Sequence, residues 1–469
     1  MTLRHYLFIL LGVVLLSCQS NETPAVCGSA WIGGQIVNPK QDYVIISHNR
    51  NTLDTVYLDQ RNSFLYKIPS ADPGLYFFRH FEYQALFLEP GDSVMLRVNT
   101  IEFDESLTYT GRGSAKNNFL TELFLLNESL DQSLADYYRL SPDIFQATID
   151  SVKTNRLNFL QDFIETNGVS DEFLTMAHAA IDYAIFAKNE LYLSANYRKQ
   201  QYDESVVIPE SFFKYRSKID LGHEHLRTYY PYFRCVGYYL DNLAFLNYRQ
   251  TEAFDRRSFT HTWHKIDLID QMITNDSLKH SLLNVTVASY FMHADKIDQE
   301  KRMLTKFKAL NQSSNDLKMM ESLANSTMKL APGNKVPEVA LVNKQNETVA
   351  ISAIIKRPSV FFFWSLNSSR HYKKIHLRVE ELAAKYPEYD FIGLNVDDQF
   401  KKWQRLVTHQ NFKTGSEYQF DDFNQAEMAL LVNSVNRSMV VSAKGKILNA
   451  NINIFGMKIE QELLNYLNQ

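Results

Sequence analysis

Residues Ser359 to Trp364 read Ser-Val-Phe-Phe-Phe-Trp, an unbroken apolar run of strand length. A half-exposed strand alternates apolar and polar side chains. A run that spares none for water predicts a strand buried on both faces, as in a parallel sheet covered by helices. A short polar turn follows, Ser365 to Ser369. Beyond it Ile375, Val379, Leu382, Ala383 and Tyr386 share one helical face, while Lys373, Lys374, Arg378, Glu381 and Lys385 fall mostly elsewhere. The stretch predicts strand, tight turn and helix start, with Ser368 or Ser369 at the N-cap.

At 469 residues the chain is too long for one ordinary core, which predicts two to three domains. A hydrophobic content of 45% and a charged content of 22% fit globular domains. The net charge of -4 leaves no electrostatic footprint for nucleic acid.

The first residues address the compartment. Arg4 and His5 precede the apolar run Tyr6 to Leu16, and Leu15-Leu16-Ser17-Cys18 follows. The run is too short to span a bilayer as a mature helix. It resembles a bacterial lipoprotein signal, whose terminal cysteine, here Cys18, is lipidated. That resemblance implies a membrane partner through the N-terminal lipid and a place in the bacterial cell envelope, at the outer membrane facing the periplasm or the cell surface. Lipidation of Cys18 leaves Cys27 and Cys235. Outside the cytoplasm these can pair, but they fall in different predicted domains, and two separate thiols are the favoured reading.

After a tether at 19–29, short apolar strands separated by turn residues run through 30–112. Asp72-Pro73-Gly74 and Glu89-Pro90-Gly91-Asp92 are turn signals, proline fixing φ and glycine accepting positive φ. The pattern predicts a small antiparallel β-sandwich. Phe87-Leu-Glu-Pro-Gly-Asp92 resembles a β-domain of unknown function that precedes thioredoxin-like domains in Gram-negative lipoproteins, with Glu89 and Asp92 read as turn residues. Residues 113–330 change to helical periodicity without a tandem repeat, predicting an all-α middle domain. His223 and His225, two apart, cannot share a helix face, and no metal site is expected. His261 and His264 are read as surface or half-buried residues. Residues 331–469 alternate strands and helices, then close with a hairpin and a helix, predicting an α/β domain.

Phe363-Trp364-Ser365 and the turn after it resemble the active-site segment of thioredoxin-like proteins of the TlpA/ResA-like family, membrane-anchored disulfide oxidoreductases that read Phe-Trp-Ala-x-Trp-Cys-x-x-Cys-Arg there. The resemblance covers roughly 331–469. Ser368 stands where it implies the first cysteine, His371 where it implies the second, and Asn436 where it implies a cis-proline. The position of an assisting buried acid falls on Phe362. A thiolate is the nucleophile of disulfide exchange and a second thiol resolves the intermediate; serine and histidine do neither. A hydrolytic Ser368–His371 pair lacks a nucleophile elbow, and helix capping by Ser368 is the favoured reading.

These observations imply no catalytic residue, no metal and no small-molecule cofactor. They point to a degenerate oxidoreductase domain acting as a protein- or peptide-binding or scaffold module. Trp364, Arg370, His371 and Arg437 are the expected partner surface. The alternative is a thiol–disulfide oxidoreductase working through other cysteines or a partner.

Overall fold

The computed structural model describes residues 28–49, 51–200, 207–410, 412, 416–432 and 434–467. Cys18 and Cys27, which carry the expectations of lipidation and pairing, lie outside them. The chain divides into two compact units, Met1–Ile185 with Thr228–Tyr232, and Phe186–Arg227 with Phe233–Gln469.

The first unit begins with eight strands: β1 Gly28–Val37, β2 Tyr43–His48, β3 Asn51–Tyr57, β4 Ser63–Ala71, β5 Gly74–His80, β6 Glu82–Leu88, β7 Ser93–Asn99 and β8 Thr108–Arg112. A short helix, α1 Phe103–Ser106, precedes the last. They form two four-stranded sheets, ordered β4-β1-β7-β8 and β3-β2-β5-β6. Inward residues such as Ile32, Ile36, Val44, Ile46, Phe78, Leu86 and Val98 join in one buried cluster. The sandwich is not wholly antiparallel. β1 pairs in parallel with β7, Trp31 opposite Ser93 through Val37 opposite Asn99. Parallel neighbours need a long connection, and β2 to β6 supply it. Gly34 marks the closeness of that pairing, since a Cβ there would meet the Leu96 carbonyl oxygen at 2.0 Å.

Three helices follow: α2 Ser114–Tyr137, α3 Pro142–Thr166, and α4 Asp171–Gln200, which continues into the second unit. Pro142 opens α3 where its missing N–H costs nothing. The turn Glu89–Asp92 is more than a turn. Lys116 of α2 reaches into it, pairing with Glu89 and, at 2.9 Å, with Asp92. The Asp92 carboxylate also accepts from the Glu89 N–H at 2.9 Å. Ser170 donates to Glu89 and accepts from the Phe173 N–H at the start of α4. The side chain of Asn117 both accepts from the Phe87 N–H at 2.7 Å and donates to its carbonyl at 2.9 Å. The motif therefore fastens strand ends to two helices.

In the second unit the stretch Glu210–Lys218, within the helical periodicity of 113–330, takes the tighter 3-10 form. The helices are then α5 Tyr230–Tyr248, whose first turn belongs to the first unit, α6 Phe259–Met272, α7 Asp276–Phe291, α8 Ile297–Leu310 and α9 Ser314–Lys329. After them come β9 Ala340–Val342, β10 Thr348–Ala350, α10 Ile351–Ile354, β11 Ser359–Trp364, α11 Ser369–Lys385, β12 Asp390–Asn395, α12 Phe400–Gln410, β13 Ser416–Phe420, α13 Phe423–Leu430, β14 Arg437–Val441, β15 Ile447–Asn453 and α14 Lys458–Leu467. The seven strands form one sheet, β10-β9-β13-β12-β11-β14-β15. β11, β12 and β13 are parallel, and β14 and β15 complete the sheet antiparallel. This is the thioredoxin-like order of strands and helices.

β11 is central and every one of its residues is buried. Its side chains divide by the two-residue period. Phe361 and Phe363 enter the apolar layer beneath α13. Val360, Phe362 and Trp364 enter the layer shared by α11, α12 and α14. Each buried aromatic contributes about 1.5–3 kcal/mol by removal from water. That explains why the run admits no polar residue from Val360 to Trp364.

Candidate functional site

The loop after β11 is held by one carboxylate. Asp397, buried just beyond β12, accepts from the Ser365 hydroxyl at 2.6 Å, the Leu366 N–H at 2.5 Å and the Asn367 side chain at 3.1 Å. Asn395 donates to the same carboxylate at 2.8 Å, and Gln419 of β13 donates to Asn395 at 3.0 Å. The first half of the loop is therefore fixed by charge-assisted bonds.

The second half is not. Ser368 occupies the N-cap position of α11, but its hydroxyl makes no capping bond, so the expected cap is absent. Its φ of -117° and ψ of 74° depart from the extended geometry in which a serine oxygen meets the helix N–H groups. Neither ring nitrogen of His371 meets a hydrogen-bond partner, Ser368 included, among the described residues. Burial lowers the His371 pKa below the ordinary histidine value; the nearby Asn436 amide opposes this without closing a hydrogen bond. No described acid orients the ring, so the arrangement lacks the base and orienting group of a nucleophilic serine. Asn436 does stand on the same side as His371, and no peptide bond among the described residues is cis.

Two of the four expected surface residues are interior. Trp364 is 0% exposed, because its ring completes the layer under α11. Arg437 is buried in β14, its guanidinium donating to the carbonyls of Ala450, at 2.7 Å, and Leu431. Burial pulls its pKa down to about 10. Arg370 is exposed and His371 half-buried, its ring edge-on to Phe455 at 5.9 Å between centroids.

Under the loop lies a buried acid. Glu417 of β13 accepts from the Trp364 indole N–H at 2.9 Å and contacts His376 Nε2 at 3.2 Å. His376 Nδ1 lies 2.7 Å from the Tyr372 carbonyl, and its ring stacks on Phe412 at 3.8 Å. Since a carbonyl only accepts, the Nδ1–H donates there, and Nε2 can donate to Glu417 only when the ring is charged. Gly393 of β12 makes room for the acid, as a Cβ would sit 2.3 Å from a Glu417 carboxylate oxygen. Phe362, the position implied for an assisting acid, is fully buried and stands edge-on to His376. The signal for Glu417 was available only as a polar residue with strand-like neighbours, Ser-Glu-Tyr-Gln-Phe.

Beside His371 the surface opens into a shallow cleft of about 500 Å³ lined by Arg378, Phe455, Met457 and Glu460. Met457 is 92% exposed. Arg378 donates to Glu460 at 2.9 Å and Lys385 pairs with the same carboxylate, giving the apolar floor a charged rim.

A larger polar cluster lies among the helices of the second unit. Glu190 is fully buried and receives Arg216 at 2.7 and 2.8 Å, Tyr215 at 2.8 Å and Asn242. His261, read from sequence as a surface or half-buried residue, is 1% exposed, between the Tyr248 hydroxyl at 2.8 Å and Asp241 at 3.0 Å. Burial alone would raise the Asp241 carboxyl; Lys265, His261 and Arg256 outweigh it and hold the group well below the usual carboxylate range. The Tyr–His–Asp series has the order of a proton relay, but its members are packed inside the helices and satisfy one another, which makes it architecture. Cys235 is free and fully buried, and burial followed by Glu190 pushes its thiol pKa well up. It is an inert thiol. His223 and His225 stand 6.3 Å apart edge to face. Among the described residues no group of three or more His, Cys, Asp or Glu is arranged to hold a metal, and no helix is long and apolar enough to cross a membrane.

No family model matches the chain. No curated protein matches it either. Solved structures do. A Bacteroides vulgatus protein provisionally described as a thiol-disulfide oxidoreductase is 15% identical, with a TM-score of 0.27, over 29% of this chain and 97% of its own. A thiol:disulfide interchange protein from a Bacteroides species is 15% identical, with a TM-score of 0.26, over 30% of this chain and 93% of its own. The thioredoxin domain of another Bacteroides vulgatus thiol-disulfide oxidoreductase is 13% identical, with a TM-score of 0.23, over 29% and 96%. The fold assignment stands on the strand order and crossovers themselves: the C-terminal region is thioredoxin-like, with serine and histidine at the positions that the sequence resemblance gives to the thiol pair.

Proposed function

We propose that this chain is a lipid-anchored protein of the bacterial cell envelope whose thioredoxin-like region binds a protein or peptide and performs no thiol exchange. The observation that carries the reading is the cleft beside His371, where Phe455 and Met457 offer an apolar floor and Arg378 and Glu460 a charged rim. An exposed apolar centre within a polar rim is the anatomy of a partner site. The motif supports the same reading, because it supplies neither a thiolate nor an oriented base, and Cys235 is shut inside the helices. Anchoring through Cys18 and the modules 30–112, 113–330 and 331–469 belong to this proposal.

A photo-crosslinking amino acid at 457 in the native host tests it. A discrete adduct is expected at 457, absent with the same probe at exposed Val285, and lost when Phe455→Glu is added. Reduction of insulin disulfides by the unmodified chain, or equal adducts at both probe positions, would overturn the reading.

A further inference from the structure

The three parallel strands β11, β12 and β13 put the crossover helices α11 and α12 on one face of the sheet, running in the same direction. Both helices bury into one apolar layer, α11 through Tyr372, Ile375, Val379 and Leu382, α12 through Trp403 and Val407. The residues opposite those faces point to water. On α11 they include Arg370, Lys373 and Lys374; on α12 they are Lys401, Lys402 and Arg405. All six are exposed, and no ion pair joins any of them to a described acid. The rest of α11 behaves differently, with Arg378 and Lys385 both engaged by Glu460. α12 carries no acid at all. Gln404 of α12 donates to the Lys344 carbonyl at 2.7 Å, which sets a further exposed lysine beside it.

A concentration of unpaired cations on a chain of net charge -4 is costly to the isolated molecule, and an anionic partner relieves it. The kind of anion follows from the kind of cation. Lysine predominates, a point charge on a flexible stem, where arginine forks would select single carboxylates. The charges are spread along two outward helix faces, which suits an extended negative surface. Leu377, one turn beyond Lys373 and 61% exposed, adds an apolar contact among them. We propose that the outward face of α11 and α12 docks on a membrane surface bearing anionic phosphate headgroups. Each basic residue near such a surface adds to the attraction. The proposal is independent of the Phe455 cleft, and either can fail alone.

The test uses the chain from Gln19 onward, so that neither the apolar leader nor an acyl tether contributes. It is sedimented with vesicles of phosphatidylcholine alone and of an equal mixture with phosphatidylglycerol. Binding to the mixed vesicles is expected to be tighter by about tenfold or more and to weaken with salt. The variant Lys373→Gln/Lys374→Gln/Lys401→Gln/Lys402→Gln, shown by circular dichroism to melt with the parent, is expected to lose that preference. Equal binding to both vesicle types, or a preference retained by the variant, would overturn the proposal. Binding to polyglutamate without binding to mixed vesicles would overturn it in favour of an acidic polypeptide.

Discussion

Two turns in this chain follow a strand, Glu89–Asp92 leading into the next strand and the loop after β11 leading into a helix, and each is marked by an unusual sequence. In the turn Glu89–Asp92 the polar side chains are engaged: Lys116 joins both carboxylates, Ser170 donates to Glu89, and Asn117 answers the backbone of Phe87. In the loop Ser365–His371 the first half is engaged in the same way through Asp397, but Ser368 caps nothing and His371 bonds to nothing described. The first loop is explained by its own contacts. The second is explained by them only as far as Asn367. What remains idle, Ser368 and His371, stands where the resemblance implies chemistry, and it neighbours the exposed Phe455 and Met457.

The contrast can be broken most forcefully at Lys116. Lys116→Met leaves Glu89 and Asp92 facing one another without their cation, and unfolding in denaturant should show a loss of about 3–5 kcal/mol. A loss under about 1 kcal/mol would mean that the turn does not depend on the ion pair. Asp397→Ala is the matching experiment in the other loop. It strips the charged acceptor from Ser365, Leu366, Asn367 and Asn395 at once, and a loss of about 2–4 kcal/mol is expected in the same assay. The smallest effect sharpens the contrast. Ser368→Ala should change stability by no more than about 0.5 kcal/mol. Ser258→Ala removes a real cap, the acceptor of the His261 N–H at 3.1 Å, and should cost about 1 kcal/mol. Equal costs at the two serines would show that Ser368 caps α11 in solution.

Much of the fold was legible because burial imposed a period on the sequence. The buried strand β11 announced itself by carrying no polar residue after Ser359, and the strands of the sandwich by their turns. β13 was missed for the inverse reason. In Ser416–Phe420 the inward positions hold Glu417 and Gln419, so the polar side chains occupy the buried face and the alternation reads inside out. Arg437 failed in the same way: a charged residue was read as surface, whereas two backbone carbonyls satisfy its guanidinium in the interior. The parallel pairing of β1 with β7 has no local signal, since it depends on a partner some sixty residues away. The motif positions were locatable only through the family resemblance that Phe363-Trp364-Ser365 carries. Their idleness was not, because a missing hydrogen bond leaves no trace in composition.

Gly393 has a consequence for descent. The space it leaves is filled by the carboxylate of Glu417, so residues twenty-four positions apart occupy what is in effect one site. A lineage can change them in one order only. Replacing the glycine first drives a side chain into the acid, while shortening the acid first opens room and lets position 393 drift. Among related chains these two columns should covary, with the acidic one changing first, and Trp364 and His376 should lose their constraint only after both have gone.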